Sequence, residues 1–327
     1  MFSAADTTAA KITQMIAAIL LFVAVMGVIL FLAGRAQGRR SDRIVAFAYL
    51  APTILMVIIG LIYPGLRTIY ESFFNAAGDA FIGLGNYTTI FTDADQLTVL
   101  RNTVFWVLVT PFLATAIGLL YAVLIDKARL ESFAKSLIFL PMAISFVGAS
   151  IIWRFVYEYR PDQGNVKQIG LLNQVLVWLG GSPQQWLINS PLNTFLLIVV
   201  MIWIQAGFAM TVLSAAIKAI PDDIVEAARL DGVTAFGMFR FVTLPSIRPA
   251  VVVVLTTIAI ATLKVFDIVR TMTGGQFDTS VVANEFYSQS FRSDNQGLGA
   301  ALAVLLFILV IPIVVYNVRQ LRASEAR

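Results

Sequence analysis

Residues 192–217 read LNTFLLIVVMIWIQAGFAMTVLSAAI, 26 positions without a charged side chain. A helix needs about 20 predominantly apolar residues to cross the hydrocarbon core of a bilayer, so this stretch is long enough to span one. It does not stand alone. Residues 12–34, 44–66 and 103–125 each run 23 positions without a charge, 136–153 give 18, 249–263 give 15, and 297–318 give 22. Of the 327 residues, 59% are hydrophobic and only 13% charged, where soluble domains are nearer half and a quarter. The short alternating segments of a β-barrel are absent, and backbone groups inside lipid must be bonded within the chain. The expectation is an all-α polytopic membrane protein with seven transmembrane helices. Pro52, Pro111, Pro141 and Pro312 fall inside these runs and are expected as kinks. The run 249–263 is expected to continue through Lys264, Asp267 and Arg270 in one helix, where the three would share a side and pair as a charge ladder.

Orientation follows from where the positive residues lie. The connections 34–43, 126–135 and 218–248 and the tail 319–327 hold 14 Lys and Arg in 60 residues, against 6 in the 107 residues of the opposite set. Positive residues gather on the cytoplasmic side, so the N-terminus is expected outside and the C-terminus in the cytoplasm. The first run is too long for a signal-peptide core. Its basic cluster, Arg35, Arg39, Arg40 and Arg43, follows it, so it reads as a retained anchor. The expected division is an N-terminal anchor and basic linker over 1–43, then a transmembrane domain over 44–327.

Composition removes several function classes. With no cysteine and no histidine, the chain has no thiol chemistry, no Cys/His metal site and no histidine acid or base. No carboxylate cluster or serine elbow is placed for catalysis, so a membrane enzyme is the poorest reading. A net charge of +4 gives no case for nucleic acid. A secondary transporter working without partners would need an ion-coupling carboxylate at mid-membrane, for which Asp267 is the one candidate. Aromatic residues over 64–98 (Tyr70, Phe73, Phe74, Phe81, Tyr87, Phe91) read either as an interfacial belt or as a docking surface for an external protein. Arg154, Glu158 and Arg160, near another outer end, read as a structural charge group bordering an external vestibule.

The most informative connection is 218–248, KAIPDDIVEAARLDGVTAFGMFRFVTLPSIR. Pro221 sits where a helix would begin, Asp222 and Asp223 fall in its first turn, and Gly232 is placed to end it. Glu226 and Arg229 are spaced as an i,i+3 pair. Four basic and four acidic residues cancel, so the loop is not a basic lipid-binding patch. Ala227 and Ala228 let a partner approach the backbone closely, which suits a helix lying in another protein's groove.

The spacing Glu226-Ala227-Ala228, three residues, Gly232, nine residues, Val242, one residue, Leu244-Pro245 resembles the EAA loop of inner-membrane subunits of binding-protein-dependent ABC importers. Val242 stands where isoleucine is usual. Leu50-Ala51-Pro52, Tyr63-Pro64 and Gly83-Leu84-Gly85-Asn86-Tyr87 are similar to the maltose-type (CUT1) carbohydrate permeases, and the stretch from Lys264 to Gly275 looks most like the α-glucoside branch. The resemblance covers about residues 44–322, making the first span an addition to a six-helix type I importer core.

The resemblance implies a permease subunit in the bacterial inner membrane, translocating an α-glucoside or related oligosaccharide. Importers of other polyol or sugar-derived solutes remain open. It implies a second homologous permease, two ATPase subunits and an extracytoplasmic solute-binding protein as partners. The chain contains no Gly-Lys pair from which to build a phosphate-binding loop, so no cofactor is expected on it, with ATP and Mg on the ATPase subunits. ATPase coupling would fall to Asp222, Glu226, Ala227, Ala228, Gly232, Leu244 and Pro245. Carried over from the maltose-type relatives, the sugar would meet Gln205, Phe208, Thr262, Lys264 and Val265. For Phe208 and Thr262 ordinary helix packing is an equal alternative.

Overall fold

The computed structural model describes residues 8–35, 41–126, 129–160 and 170–325. Arg39, Arg40, Lys127, Lys167 and Arg327, which entered the charge count, lie outside the described residues. The described residues form helices throughout, apart from one isolated bridge between Phe74 and Phe81.

The chain divides into two units, 1–67 and 68–327. In the first, α1 (Thr8–Arg35) lies against α2 (Ser41–Val57), which runs on through a π-helical turn, Ile58–Ile62, into α3 (Tyr63–Glu71). The continuous apolar helix Tyr49–Glu71 buries none of its side chains. Met56 and Leu61, 71% and 70% exposed, show a surface that suits acyl chains rather than water.

The second unit begins with α4 (Gly85–Thr92) and α5 (Ala94–Ile125). The Asp93 carboxylate caps α5 by accepting from the amides of Asp95 and Gln96 at 3.0 and 3.1 Å, so α5 starts nine residues before its charge-free run. Next come α6 (Glu131–Phe139), α7 (Phe146–Val156), α8 (Leu171–Trp178) and α9 (Leu192–Lys218). After α9 follow α10 (Asp222–Leu230), α11 (Ala235–Gly237), α12 (Leu244–Ser246), α13 (Arg248–Leu263), α14 (Asp267–Met272), α15 (Val282–Phe291) and α16 (Gln296–Glu325).

The central helix is α9. Leu197, Ile198, Met201, Met210 and Leu213 along it are fully or almost fully buried, which is why its apolar residues occupy every face rather than one stripe. Its tightest neighbour is α5. A Cβ on Gly118 would lie 2.7 Å from the Met210 amide nitrogen, so the two backbones meet where only glycine fits. A second cluster (Ile90, Val99, Val282, Leu298 and Leu302) joins α4, α5, α15 and α16.

Among the described residues, four helices are long and apolar enough to cross a membrane, or up to six if each of two bent pairs is one span. Two expectations are corrected. The run 136–153, expected as one helix kinked at Pro141, is broken into two. Leu140–Ala143 tightens into a 3₁₀ turn at Pro141, which lacks an amide proton, and Ser145 then caps α7 by accepting from the Gly148 amide. The two halves meet at 101°.

Nor do Lys264, Asp267 and Arg270 share a helix. Lys264 caps the end of α13, Phe266 takes an extended φ of −130°, and α14 restarts at Asp267, a favourable first-turn carboxylate. Among the described residues none of the three pairs with another. The Arg270 guanidinium sits instead over the Tyr287 ring, 4.9 Å from its centroid.

Candidate coupling loop and transport site

The helix expected in 218–248 is α10. Pro221, with φ −55° and ψ 135°, stands just before it as the cap rather than inside it, and Asp222 and Asp223 fill the first turn. Gly232 adopts φ +74°, donates its amide to the Arg229 carbonyl at 3.0 Å, and lets Val233 reach back to the Ala228 carbonyl at 3.2 Å. These two bonds are a Schellman closure, which needs the left-handed conformation glycine takes without steric cost. Thr234 then caps the following turn by accepting from the Gly237 amide at 3.2 Å. Beyond it α10 packs back on the π-helical segment Met238–Thr243.

Asp222, Glu226, Ala227, Gly232 and Pro245 are exposed, while Ala228 and Leu244 are half-buried. Glu226 and Arg229 form no ion pair among the described residues, so both charges face outward. Exposed with them are Leu230, Phe236 and Phe241, at 89%, 75% and 74%. These apolar side chains were not singled out from the sequence, although three large apolar residues in a charged connection were the available signal.

At the root of the loop, Glu131 on α6 accepts from Lys135 at 2.7 Å and from Lys218 on α9 at 2.5 Å. Lys135 also donates to Ser214 on α9. Further along the same seam, a Cβ on Gly207 would lie 2.6 Å from the Ile138 carbonyl oxygen. Residues 131, 135 and 138 of α6 thus run antiparallel to 218, 214 and 207 of α9.

Of the residues carried over for sugar contact, Gln205 and Phe208 lie on α9 and Thr262 on the neighbouring α13, with Lys264 and Val265 in the break after it. Gln205 is 9% exposed and Phe208 half-buried. Thr262 is fully buried, and its hydroxyl donates to the Ile258 carbonyl of its own helix at 2.7 Å. Val265 is 7% exposed and packs in the apolar core with Met201, Ile204 and Ile258, whereas Lys264 is exposed. Arg154 donates to the Thr271 carbonyl at 3.3 Å, and Arg160 pairs with Glu158 at 3.4 Å. Arg154 and Glu158 border a cavity of about 510 Å³ with Trp186. The aromatics near 70–87 pack on one another, with Phe73 and Tyr87 rings 5.9 Å apart and Phe74 and Phe81 rings 5.6 Å apart.

No group of three or more Asp or Glu arranged to hold a metal occurs among the described residues. The distinctive feature of the loop is an exposed helix, α10, closed by Gly232 and following directly on the central span.

Residues 96–323 match the family described as binding-protein-dependent transport system inner membrane component. Among curated proteins, the chain is 47% identical over 277 residues to the osmoprotective compounds uptake permease protein GgtC of Synechocystis sp., covering 85% of this chain and 99% of that one. It is 44% identical over 283 residues to the alpha-glucoside transport system permease protein AglF of Rhizobium meliloti, covering 86% and 84%. Among solved structures, it superimposes on a chain of a bacterial ABC transporter involved in the import of the acidic polysaccharide alginate, with a TM-score of 0.74 at 22% identity, covering 87% and 97%. The same transporter in complex with alginate pentasaccharide-bound periplasmic protein gives 0.72, also at 22% identity, covering 85% and 94%. The structural likeness establishes the fold, and the family match over most of the chain establishes the class: this chain belongs to the binding-protein-dependent transport system inner membrane components, as a multi-pass permease subunit of an ABC importer and not an enzyme.

Proposed function

We propose that this permease passes an α-glucoside or a related neutral oligosaccharide across the inner membrane, handed over by an external solute-binding protein. Supporting the cargo is the 44% identity to a permease named for alpha-glucoside transport. Seven spans, with the N-terminus outside and the C-terminus in the cytoplasm, accord with the charge bias. The division into an anchor over 1–43 and a transporting domain over 44–327 accords with the reach of the family resemblance.

The observation that carries the mechanism is the exposed, Schellman-closed α10, held at its root by Glu131 and Lys218. Two ATPase subunits, carrying ATP and Mg, would grip Asp222, Glu226, Ala227, Ala228 and Gly232, with Leu244 and Pro245 bracing the far side. Closure of the ATPase pair moves α10 as a rigid body and, through α9, swings the spans of this chain and of a second homologous permease between outward and inward states. Gln205 and Phe208, with Thr262 on the facing helix and Lys264 and Val265 in the break that follows it, would border the path. Of these, Gln205 has the strongest claim, because its amide has no hydrogen-bond partner among the described residues.

The test is ATP-driven uptake by the reconstituted transporter with its binding protein, offered maltose, sucrose and trehalose beside a polyol glycoside. Accumulation of a disaccharide that stops without ATP is expected. Accumulation of none of the disaccharides contradicts the cargo, and uptake without ATPase subunits contradicts the mechanism.

A further inference from the structure

We propose that a cleft between α5, the broken α6–α7 segment and α9 is a second saccharide subsite, on a different side of α9 from Phe208. The proposal rests on the reading of the cargo as a sugar. The cleft has a volume of about 360 Å³ and is walled by Ile117, Tyr121, Pro141, Trp153, Trp203 and Ala206. At 3.6 residues per helical turn, Val199, Trp203 and Ala206 fall within one sector of α9 and Phe208 falls roughly half a turn from Trp203 and Ala206, while Gln205 lies between, about 60° from the lining residue Ile202.

The concavity has a local cause. Pro141 cannot continue the α6 ladder, so the chain tightens into Leu140–Ala143 and turns by 101° before α7. Gly207 lets that turn press directly on α9, because its missing side chain leaves room for the Ile138 and Phe139 backbone. A hollow remains beside the contact, and three aromatic rings fill its rim. The Trp153 and Trp203 rings stand edge to face, with centroids 5.7 Å apart.

Three of the lining residues carry polar groups on aromatic rings: the Tyr121 hydroxyl and the indole N–H groups of Trp153 and Trp203. None has a hydrogen-bond partner among the described residues. Nearby aromatic residues do find partners, since Tyr157 donates to the Leu196 carbonyl at 3.2 Å and Trp186 donates to Asn173 at 2.8 Å. No charged side chain lines the cleft. Aromatic faces with unspent donors and no charge suit a neutral ligand that has an apolar ring face and a hydroxyl edge, which describes a pyranose. An acyl chain would cover the rings and leave all three donors unpaired.

The test uses the assembled transporter. The wild type is first shown to import one of maltose, sucrose or trehalose in proteoliposomes; failure at this stage overturns the cargo reading and the subsite with it. Tyr121→Phe and Trp203→Phe keep the rings and delete one donor each. For the imported sugar, each is expected to lower maximal uptake about three- to tenfold, the range one lost hydrogen bond gives, with assembly and basal ATP hydrolysis unchanged. A diazirine-bearing analogue of that sugar, trapped during turnover, is expected to label peptides carrying Trp153 or Trp203. Undiminished uptake in both variants, or labelling confined to the Phe208 face, would overturn the subsite while leaving the cargo reading intact. Trp153 and Trp203 fluorescence quenched by brominated acyl chains, with no relief by the sugar, would also overturn it.

Discussion

Glu131, the first residue of α6, accepts a hydrogen bond from Lys218, the last residue of α9, at 2.5 Å, and the same carboxylate oxygen holds Lys135 at 2.7 Å. Lys218 is followed by three residues and then by α10, so this carboxylate ties the root of the coupling helix to the broken segment. An isolated exposed ion pair contributes little to stability; in the mechanism proposed above, its role would be to pass the movement of α10 to the broken segment.

Glu131→Gln and Lys218→Met are therefore expected to leave assembly intact and to raise the ATP hydrolysed per sugar imported several-fold. Exchanging the two charges is expected to recover part of the loss. Measuring hydrolysis and uptake on the same proteoliposomes checks this, and an unchanged ratio would remove the connection from the mechanism.

Gly232 makes a sharper prediction. At φ +74° a side chain costs about 1–2 kcal/mol, and nothing else crowds the position. Gly232→Ala should weaken ATPase association and uptake together, whereas Gly232→Asn, which tolerates the left-handed conformation, should lose less. Equal behaviour of the two variants in a pull-down of the ATPase subunits would show that the conformation is not what matters.

Much of this architecture was legible in the sequence. The charge-free runs located α5, α9 and α16, and the residues from Pro221 to Gly232 located α10 and its end. The breaks were not legible. Pro52, Pro111 and Pro312 lie within helices while Pro141 ends one, and what separates them is tertiary contact with α9 at Gly207. Similarly, Lys264, Asp267 and Arg270 have helical spacing, yet Arg270 gains a Tyr287 ring that sequence distance conceals. The free donors of Tyr121, Trp153 and Trp203 come from three separate helices, so no local pattern could unite them.

Asn173 illustrates a structural residue that composition hides. It is fully buried, donates to the Glu158 and Gln184 carbonyls at 2.8 and 3.1 Å, and accepts from the Gln184 amide and the Trp186 indole at 2.9 and 2.8 Å. Asn173→Ala orphans these groups at a cost of about 1–3 kcal/mol for each one left buried. Limited proteolysis of the purified complex should then cut between 159 and 189 much faster. Asn173→Asp, which keeps the acceptors, should be intermediate.

Close helix contact gives a further expectation. Gly207→Ala places a methyl 2.6 Å from the Ile138 carbonyl oxygen, an overpacking that costs about 1–3 kcal/mol. The thermal unfolding midpoint of the assembled complex should fall. Because α6 is pried from α9, the ATP-per-sugar ratio should rise as it does in Glu131→Gln. A stable, fully coupled Gly207→Ala transporter would contradict the close approach of the two helices.

The central claim is that α10 meets the ATPase in the cytoplasm. The chain contains no cysteine, so Glu226→Cys introduces its single thiol at the exposed centre of that helix. Labelling with a membrane-impermeant maleimide is the direct measurement. The account predicts modification in inside-out vesicles stripped of ATPase, protection when ATPase subunits are restored, and none in intact spheroplasts. Modification of intact spheroplasts, or no protection by the ATPase, would contradict it.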